Sequence, residues 1–402
     1  MNGSPKHQPP WEKIFFQKSP LPSESLGSPF WTTLWNETKH EELDRLKQQI
    51  TPYEEAKTWE VLKKLSNPYE LVYTHEADKF PQSLAIQKPL SRSYFKMIEM
   101  LEVSQFFQSL SKQTLSIRTA HVAEGPGGFI EAICERASLY NKKISKALGI
   151  TLRPTGNNIP GWRKAYNFLK SHPEVIVSYG SDNTGDIYSI ENQNAFLEQL
   201  GGKAQIFTAD GGFDFSEDYS TQEQNVYPLL IASAKIGIQC LGQEGIFIMK
   251  LFDIFGAPTQ YLVRLITFCF REWSFYKPAT SRPCNSERYL ICKGFRRCFP
   301  EILRLLTTLE NQYQANREYP DCSGNYLWSE KEAIYWKEHT ESFTNFQCQT
   351  IQKSFETNGI SLDAVNWTDQ INNAHKWCNQ FRVVDQLMCN PATYKKFGYK
   401  KS

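Results

Sequence analysis

The chain lacks a long apolar run, an internal repeat and any real excess of charge, and each absence removes a class of function. No stretch approaches the ~20 consecutive apolar residues that cross a bilayer, so no membrane span is expected. The opening MNGSPKHQPPWEK has no apolar segment, so a secretory signal is not expected either. Lys and Arg number 45 against 43 Asp and Glu, so a polyanion would have to be met by a local basic patch. The ten cysteines include no C-x-x-C pair and lie mostly in apolar runs. That spacing suits neither zinc nor a disulfide framework, and points to reduced thiols inside a cell. No metal site is expected. With 40% hydrophobic and 14% aromatic residues, the 402-residue chain has ample material for a packed core.

Four regions are predicted. Residues 1–30 form a flexible Pro/Ser-rich leader and residues 31–85 a helical N-terminal extension. Residues 86–299 form the main domain, and residues 300–402 a helical, Trp/Tyr-rich region with a basic tail. In the main domain, short apolar runs (Ile117–Ala123, Lys146–Ile150, Val175–Tyr179, Ala204–Ala209, Gly245–Leu251, Trp273–Lys277, Tyr289–Cys292) alternate with helical stretches near 128–139, 191–200, 221–241 and 258–271. A further helix starts near Ser91, where Ser91-Arg92-Ser93 can cap it. Alternation of this kind predicts an α/β fold with a doubly wound, mainly parallel, Rossmann-like sheet. Its ligands should sit beyond the carboxyl ends of the strands.

His121-Val122-Ala123-Glu124-Gly125-Pro126-Gly127-Gly128-Phe129 follows the first run and opens a helix. Its E-G-P-G-G pattern lacks the three-glycine dinucleotide fingerprint, and its proline removes an N–H a pyrophosphate would need. A smaller nucleoside ligand suits it better, although an ordinary tight turn has the same signature. Asp186 follows the third run and could accept a hydrogen bond from an adenine, or serve simply as a cap or turn residue. Asp210 sits at the tip of the fourth run beside Gly211-Gly212. Lys250 ends the apolar Ile246-Phe247-Ile248-Met249, where desolvation would depress an amine pKa, unless the side chain snorkels at the sheet edge. Taken singly, Glu287 is a loop glutamate and Lys96 a surface charge.

Together these segments resemble the FtsJ-type ribose 2′-O-methyltransferases. The likeness rests on Glu124–Phe129, Ala209–Phe213, Met249–Ile254 and above all Lys277-Pro278-Ala279-Thr280-Ser281-Arg282-Pro283-Cys284-Asn285-Ser286-Glu287-Arg288-Tyr289. It is greatest to the eukaryotic cap-1 enzymes and, through Asn67–Leu71 and Leu90–Lys96, to their counterparts in large DNA viruses. The resemblance implies a Lys96–Asp210–Lys250–Glu287 catalytic group and a cofactor, S-adenosylmethionine. Glu124, Gly125, Pro126, Gly127, Gly128 and Phe129 would hold its methionine part, with Asp210 nearby and Asp186 at its adenine. Family members often carry Ala or Cys before the P-G-G, where this chain has Glu124-Gly125. The partner implied is RNA, first of all the capped 5′ end of mRNA, with other capping or transcription proteins and no membrane. Asn285, Arg282 and Arg288 are expected to contact the substrate, and Arg296, Arg297 and the 394–401 tail to meet phosphates. The Trp-rich region could sandwich a methylated guanine or, as in most helical extensions, bury its tryptophans as core. The viral likeness favours the cytoplasm over the nucleus. A ribosomal or transfer RNA ribose methyltransferase, or an inactive RNA-binding subunit of the same fold, are the alternatives.

Overall fold

The computed structural model describes residues 9–22, 37–74, 80–154, 161–212, 221–316 and 328–389. Its centre is one eight-stranded sheet: β1 (Gln17–Lys18), β2 (Ser116–Val122), β3 (Lys143–Ile150), β4 (Val175–Ser178), β5 (Ala204–Ala209), β6 (Leu241–Leu251), β7 (Phe270–Tyr276) and β8 (Arg288–Phe295). The order is β1-β7-β8-β6-β5-β2-β3-β4. Strands β4, β3, β2, β5 and β6 pair in parallel, while β8 runs antiparallel between β6 and β7. From β2 the chain winds outward to β3 and β4, then returns to β5 on the other side of β2, so the order reverses between β2 and β5. That reversal opens the crevice in which such sheets bind ligands. The doubly wound sheet and all seven predicted runs are present.

Nine helices of the described residues matter here: α1 (Glu37–Gln48), α2 (Ser93–Ser104), α3 (Gly128–Leu139), α4 (Ile190–Leu200), α5 (Gln222–Cys240), α6 (Ala257–Phe268), α7 (Pro300–Asn316), α8 (Glu330–Glu356) and α9 (Thr368–Gln380). Apolar stripes on α5, α6 and α7 bury against one face of the sheet, and those of α2, α3 and α9 against the other. Ser91 and Ser93 do not cap α2; their hydroxyls bond each other at 2.5 Å.

The structure corrects one expectation about the flanks and decides between two readings of another. Residues 9–22 of the leader are held against the body rather than free. Trp11 is buried between Tyr69 and Phe381, and Gln17-Lys18 pair with Trp273 and Glu272 of β7. The Trp-rich region is core, not a base sandwich. Trp328 and Trp336 pack on Trp273 of β7, Trp377 packs on Phe95 of α2, and Trp367 is partly buried. Buried ion pairs tie the flanks down: Arg264 of α6 to Glu332 of α8 at 2.8 Å, and Lys47 of α1 to Asp253 at 2.5 Å. Residues 394–401, the basic tail, lie outside the described residues. Among the described residues no helix is long and apolar enough to cross a membrane, and no cysteine is in a disulfide.

Candidate active site

Four strand ends converge at one end of the sheet. The glycine loop leaves the carboxyl end of β2, Asp210 follows β5, Lys250 lies next to last in β6, and Glu287 immediately precedes the antiparallel β8. The register sets Lys250 opposite Tyr289 and Leu251 opposite Arg288, which brings Glu287 to the tip of β6. Lys96 arrives from the first turns of α2.

The four side chains meet. Lys96 Nζ lies 2.6 Å from Glu287 Oε1. Lys250 Nζ donates to the Asp210 carbonyl at 2.6 Å and lies 3.4 Å from Asp210 Oδ1. Burial alone would raise the Glu287 pKa, but Lys96, Lys250 and Lys277 together hold it down at about 2. It is therefore a carboxylate at any working pH. Each of the four keeps a tip partly open to solvent, at 11–15% side-chain exposure, as a reacting group needs.

Three neighbours that the sequence reading assigned no role complete the group. Tyr289 donates its hydroxyl to Asp210 Oδ1 at 2.9 Å, and Ser281 donates to Glu287 Oε1 at 2.8 Å. Lys277 donates to Asn285 Oδ1 and to the carbonyls of Asn285 and Glu287, at 2.7–2.9 Å. Burial pushes its amine down to about 7 against the pull of Glu287. All three lie inside the S-R-P-C-N-S-E-R-Y string or its Lys-Pro lead-in, so the motif already held them. What it could not show is which way each side chain faces.

The glycine loop is built by close approach. A Cβ on Gly128 would fall 2.2 Å from Ser91 Oγ and 2.4 Å from Ser93 Oγ, so bare backbone lets α3 start against the start of α2. At Gly127, φ is +102° and a Cβ would strike Trp162 at 2.5 Å. No side chain caps α3, so its first N–H groups are left for a ligand. Under the loop, buried Glu124 accepts from Thr208 and lies 3.5 Å from His121 Nδ1. Burial raises its pKa, with His121 opposing. Phe129 is core, its ring against Tyr289. Asp186 sits in the loop after β4; Gly185 in that loop packs tightly on Thr151, just beyond β3. Its Oδ1 accepts from Tyr188 N at 2.8 Å, a local turn that leaves the residue partly exposed.

The expected substrate contacts divide. Asn285 is exposed beside the four catalytic candidates. Arg282 is engaged with buried Glu70, at 3.0 and 3.2 Å, which it shares with Arg92. Arg288 is corrected outright. Side chains alternate along a strand, so Glu287 and Tyr289 face the cleft while Arg288 turns inward, its guanidinium 3.7 Å from the Phe343 ring centroid and fully buried. Arg296 bonds the carbonyls of Ser19 and Pro20 in the leader, at 2.6 and 3.0 Å.

Glu99, one turn beyond Lys96 on α2, locks the site to its supports. It accepts from Tyr276 at 2.5 Å, from Ala279 N at 2.7 Å and from Trp377 Nε1 at 2.7 Å. Burial raises its pKa from 4.5 to about 7 against those donors. The folded state thus holds the proton more tightly than the unfolded chain, and folding stability falls as pH rises from 4.5 to about 7. Glu99→Gln does not titrate. Urea melts at the two ends of that window should show wild-type stability, relative to the variant, dropping by up to about 3 kcal/mol. A flat difference would mean that the three donors fully offset burial.

Among the described residues no three His, Cys, Asp or Glu side chains are grouped as a metal site. Residues 89–295 match the FtsJ-like methyltransferase family, and the chain belongs to that family. It is 28% identical over 256 residues to the cap-specific mRNA (nucleoside-2′-O-)-methyltransferase 1 of Caenorhabditis elegans, covering 60% of this chain and 27% of the relative. Against the protein of the same name from Trypanosoma cruzi it is 30% identical over 213 residues, 51% of this chain and 56% of the relative. With that from Mus musculus the identity is 35% over 187 residues, 44% of this chain and 21% of the relative. The chain thus matches from about a fifth to little more than half of the length of these relatives.

Proposed function

We propose that the chain transfers a methyl group from S-adenosylmethionine to a ribose 2′-hydroxyl of RNA, with the first transcribed nucleotide of capped mRNA as its target. The observation that carries this is the meeting of two lysines and two carboxylates at the end of the sheet that also bears the uncapped glycine loop. The names of the relatives support the choice of capped mRNA.

The residues present fit the cofactor. The bare backbone at Gly125, Gly127 and Gly128 and the first N–H groups of α3 suit the carboxylate of its methionine part, and the Asp210 side would face its methyl end. We assign Asp186 to its adenine. When bound, S-adenosylmethionine supplies a methyl group already activated by the sulfonium charge.

What remains for the protein is alignment and proton management. Lys250, fixed by the Asp210 carbonyl and carboxylate, steers the 2′-hydroxyl and in its amine form takes the proton. Asp210 and Glu287 orient the two amines, each carboxylate paired with one lysine. A ribose 2′-hydroxyl exists only on RNA, which fixes the substrate class. Asn285 borders the nucleotide.

The test is mass spectrometry of capped, uncapped and structured RNAs after incubation with protein and cofactor, mapping the modified nucleotide. Methylation of the first ribose of the capped RNA is expected. A methyl group on a base, or a preference for uncapped structured RNA, would overturn the reading.

A further inference from the structure

A cavity of about 820 Å³ adjoins the catalytic loop, with Lys277, Pro278, Ala279, Ser281 and Pro283 in its wall. It is walled mostly by parts of the chain outside the family match: the segment around Phe15 and one face of α8. The size lies within the roughly 300–1,000 Å³ typical of pockets that enclose a small ligand group.

Its walls are rich in aromatic side chains, and one of those rings, Phe15, is open. Phe15 is 69% exposed, an unusual state for so large an apolar group. The main chain that carries it is held in place, because Ser274 of β7 donates to the Phe15 carbonyl at 2.9 Å. Phe346 and Tyr335 of α8 also line the cavity, both partly exposed. The Tyr335 hydroxyl is fixed by Ser274 at 3.1 Å and by the Phe275 N–H at 3.2 Å. An open ring on an anchored segment beside an anchored tyrosine gives a flat π-system a face on which to stack.

The position says which π-system. Lys277 and Ser281 line the cavity, and the same two side chains donate to Glu287, at its carbonyl and its carboxylate respectively. One layer of side chains therefore separates the cavity from the catalytic group, a span one nucleotide can bridge. Lys13 at the mouth is exposed and suits a phosphate. Deeper in, burial holds the His339 imidazole down at about 3, so it meets a ligand uncharged. Amides from Asn345 and Gln349 offer both donors and acceptors, which favours no single base.

We propose that this cavity takes an unstacked base of the single-stranded RNA substrate, the base neighbouring the ribose that is methylated. The proposal rests on reading the chain as an RNA ribose methyltransferase and adds a subsite to that reading. Proteins recognise single-stranded RNA by splaying bases onto aromatic rings, with phosphates tracked by basic groups. Here the added flanks supply the rings, and the catalytic loop forms the shared wall.

The experiment compares a capped mononucleotide with a capped pentanucleotide, using the full chain. Phe15→Ala, an exposed change, should cut the advantage of the longer RNA in kcat/KM about tenfold, the loss of one base stack. In parallel, 2-aminopurine placed at the neighbouring position should be quenched when the RNA binds the wild type. The Phe15→Ala/Phe346→Ala double variant should restore its fluorescence. This binding signal needs no methyl transfer. Quenching without transfer would uphold the subsite and sink the catalytic reading; transfer with an unchanged length ratio and no quenching would do the reverse. A Pro/Tyr-rich peptide that crosslinks at residue 15 without displacing the RNA would assign the cavity to a polypeptide and overturn the proposal.

Discussion

Lys250→Ala is expected to lower the rate of methyl transfer by about a thousandfold, with S-adenosylmethionine affinity changed only a few-fold. The lysine is next to last in an apolar strand, and its amine is gripped by one residue, Asp210, through both carbonyl and carboxylate. A positioned proton acceptor contributes roughly 10²–10⁴ in rate, and the loss of alignment adds to it. The loop proposed to hold the cofactor joins β2 to α3, so removing the amine leaves it standing. Lys250→Arg sharpens the test. It keeps a cation in place but holds its proton permanently, so it should be nearly as inactive as the alanine variant. Single-turnover transfer and calorimetric cofactor titration separate the two quantities. A Lys250→Ala protein with undiminished transfer would end the proposed chemistry.

Gly128→Val should be nearly as damaging by a different route. The added carbons would meet Ser91 and Ser93 and press on the Tyr94 N–H at 3.1 Å, all at the start of α2. Lys96 stands one turn further along that helix, so a shift of α2 moves it away from Glu287. Misplacement by about 1 Å can cost some hundredfold in rate, and overpacking costs about 1–3 kcal/mol of stability. The change also crowds the loop proposed to hold the cofactor. Loss of both cofactor binding and transfer in a protein that still melts cooperatively is the expected outcome. Replacing Ser91 by Gly in the same chain should return part of both, because it removes the nearest obstacle. Full activity in Gly128→Val would mean that the approach of α3 to α2 does not position the site.

Two of the four catalytic candidates, Asp210 and Lys250, were legible because each sits where local sequence announces a strand end. Asp210 follows Thr208-Ala209 and precedes two glycines, and Lys250 follows four apolar residues. Glu287 was legible for another reason, a long motif shared with a family. Where the reading failed, the missing information was orientation or a distant partner. Arg288 adjoins Glu287 in the same motif, yet the pleat sends it to the opposite face, under Phe343 of a helix more than fifty residues later. The leader looked mobile from its prolines and serines, because nothing local reveals that β7 offers its free edge to Gln17-Lys18. Trp162, which closes over Gly127, and Glu99, which ties α2 to Ala279 and Trp377, carry no local signature at all.

By itself, then, the sequence determined which segments become strands and helices, and which polar residues stand at their ends. Periodicity and turn chemistry act over a few neighbouring residues and can be read along the chain. Only the tertiary structure decided that β8 inserts antiparallel between β6 and β7, that Lys96 meets Glu287, and that the two flanks close a cavity beside them. Those outcomes depend on burying the faces of elements far apart in the chain against one another, a choice made by the packing of the whole core.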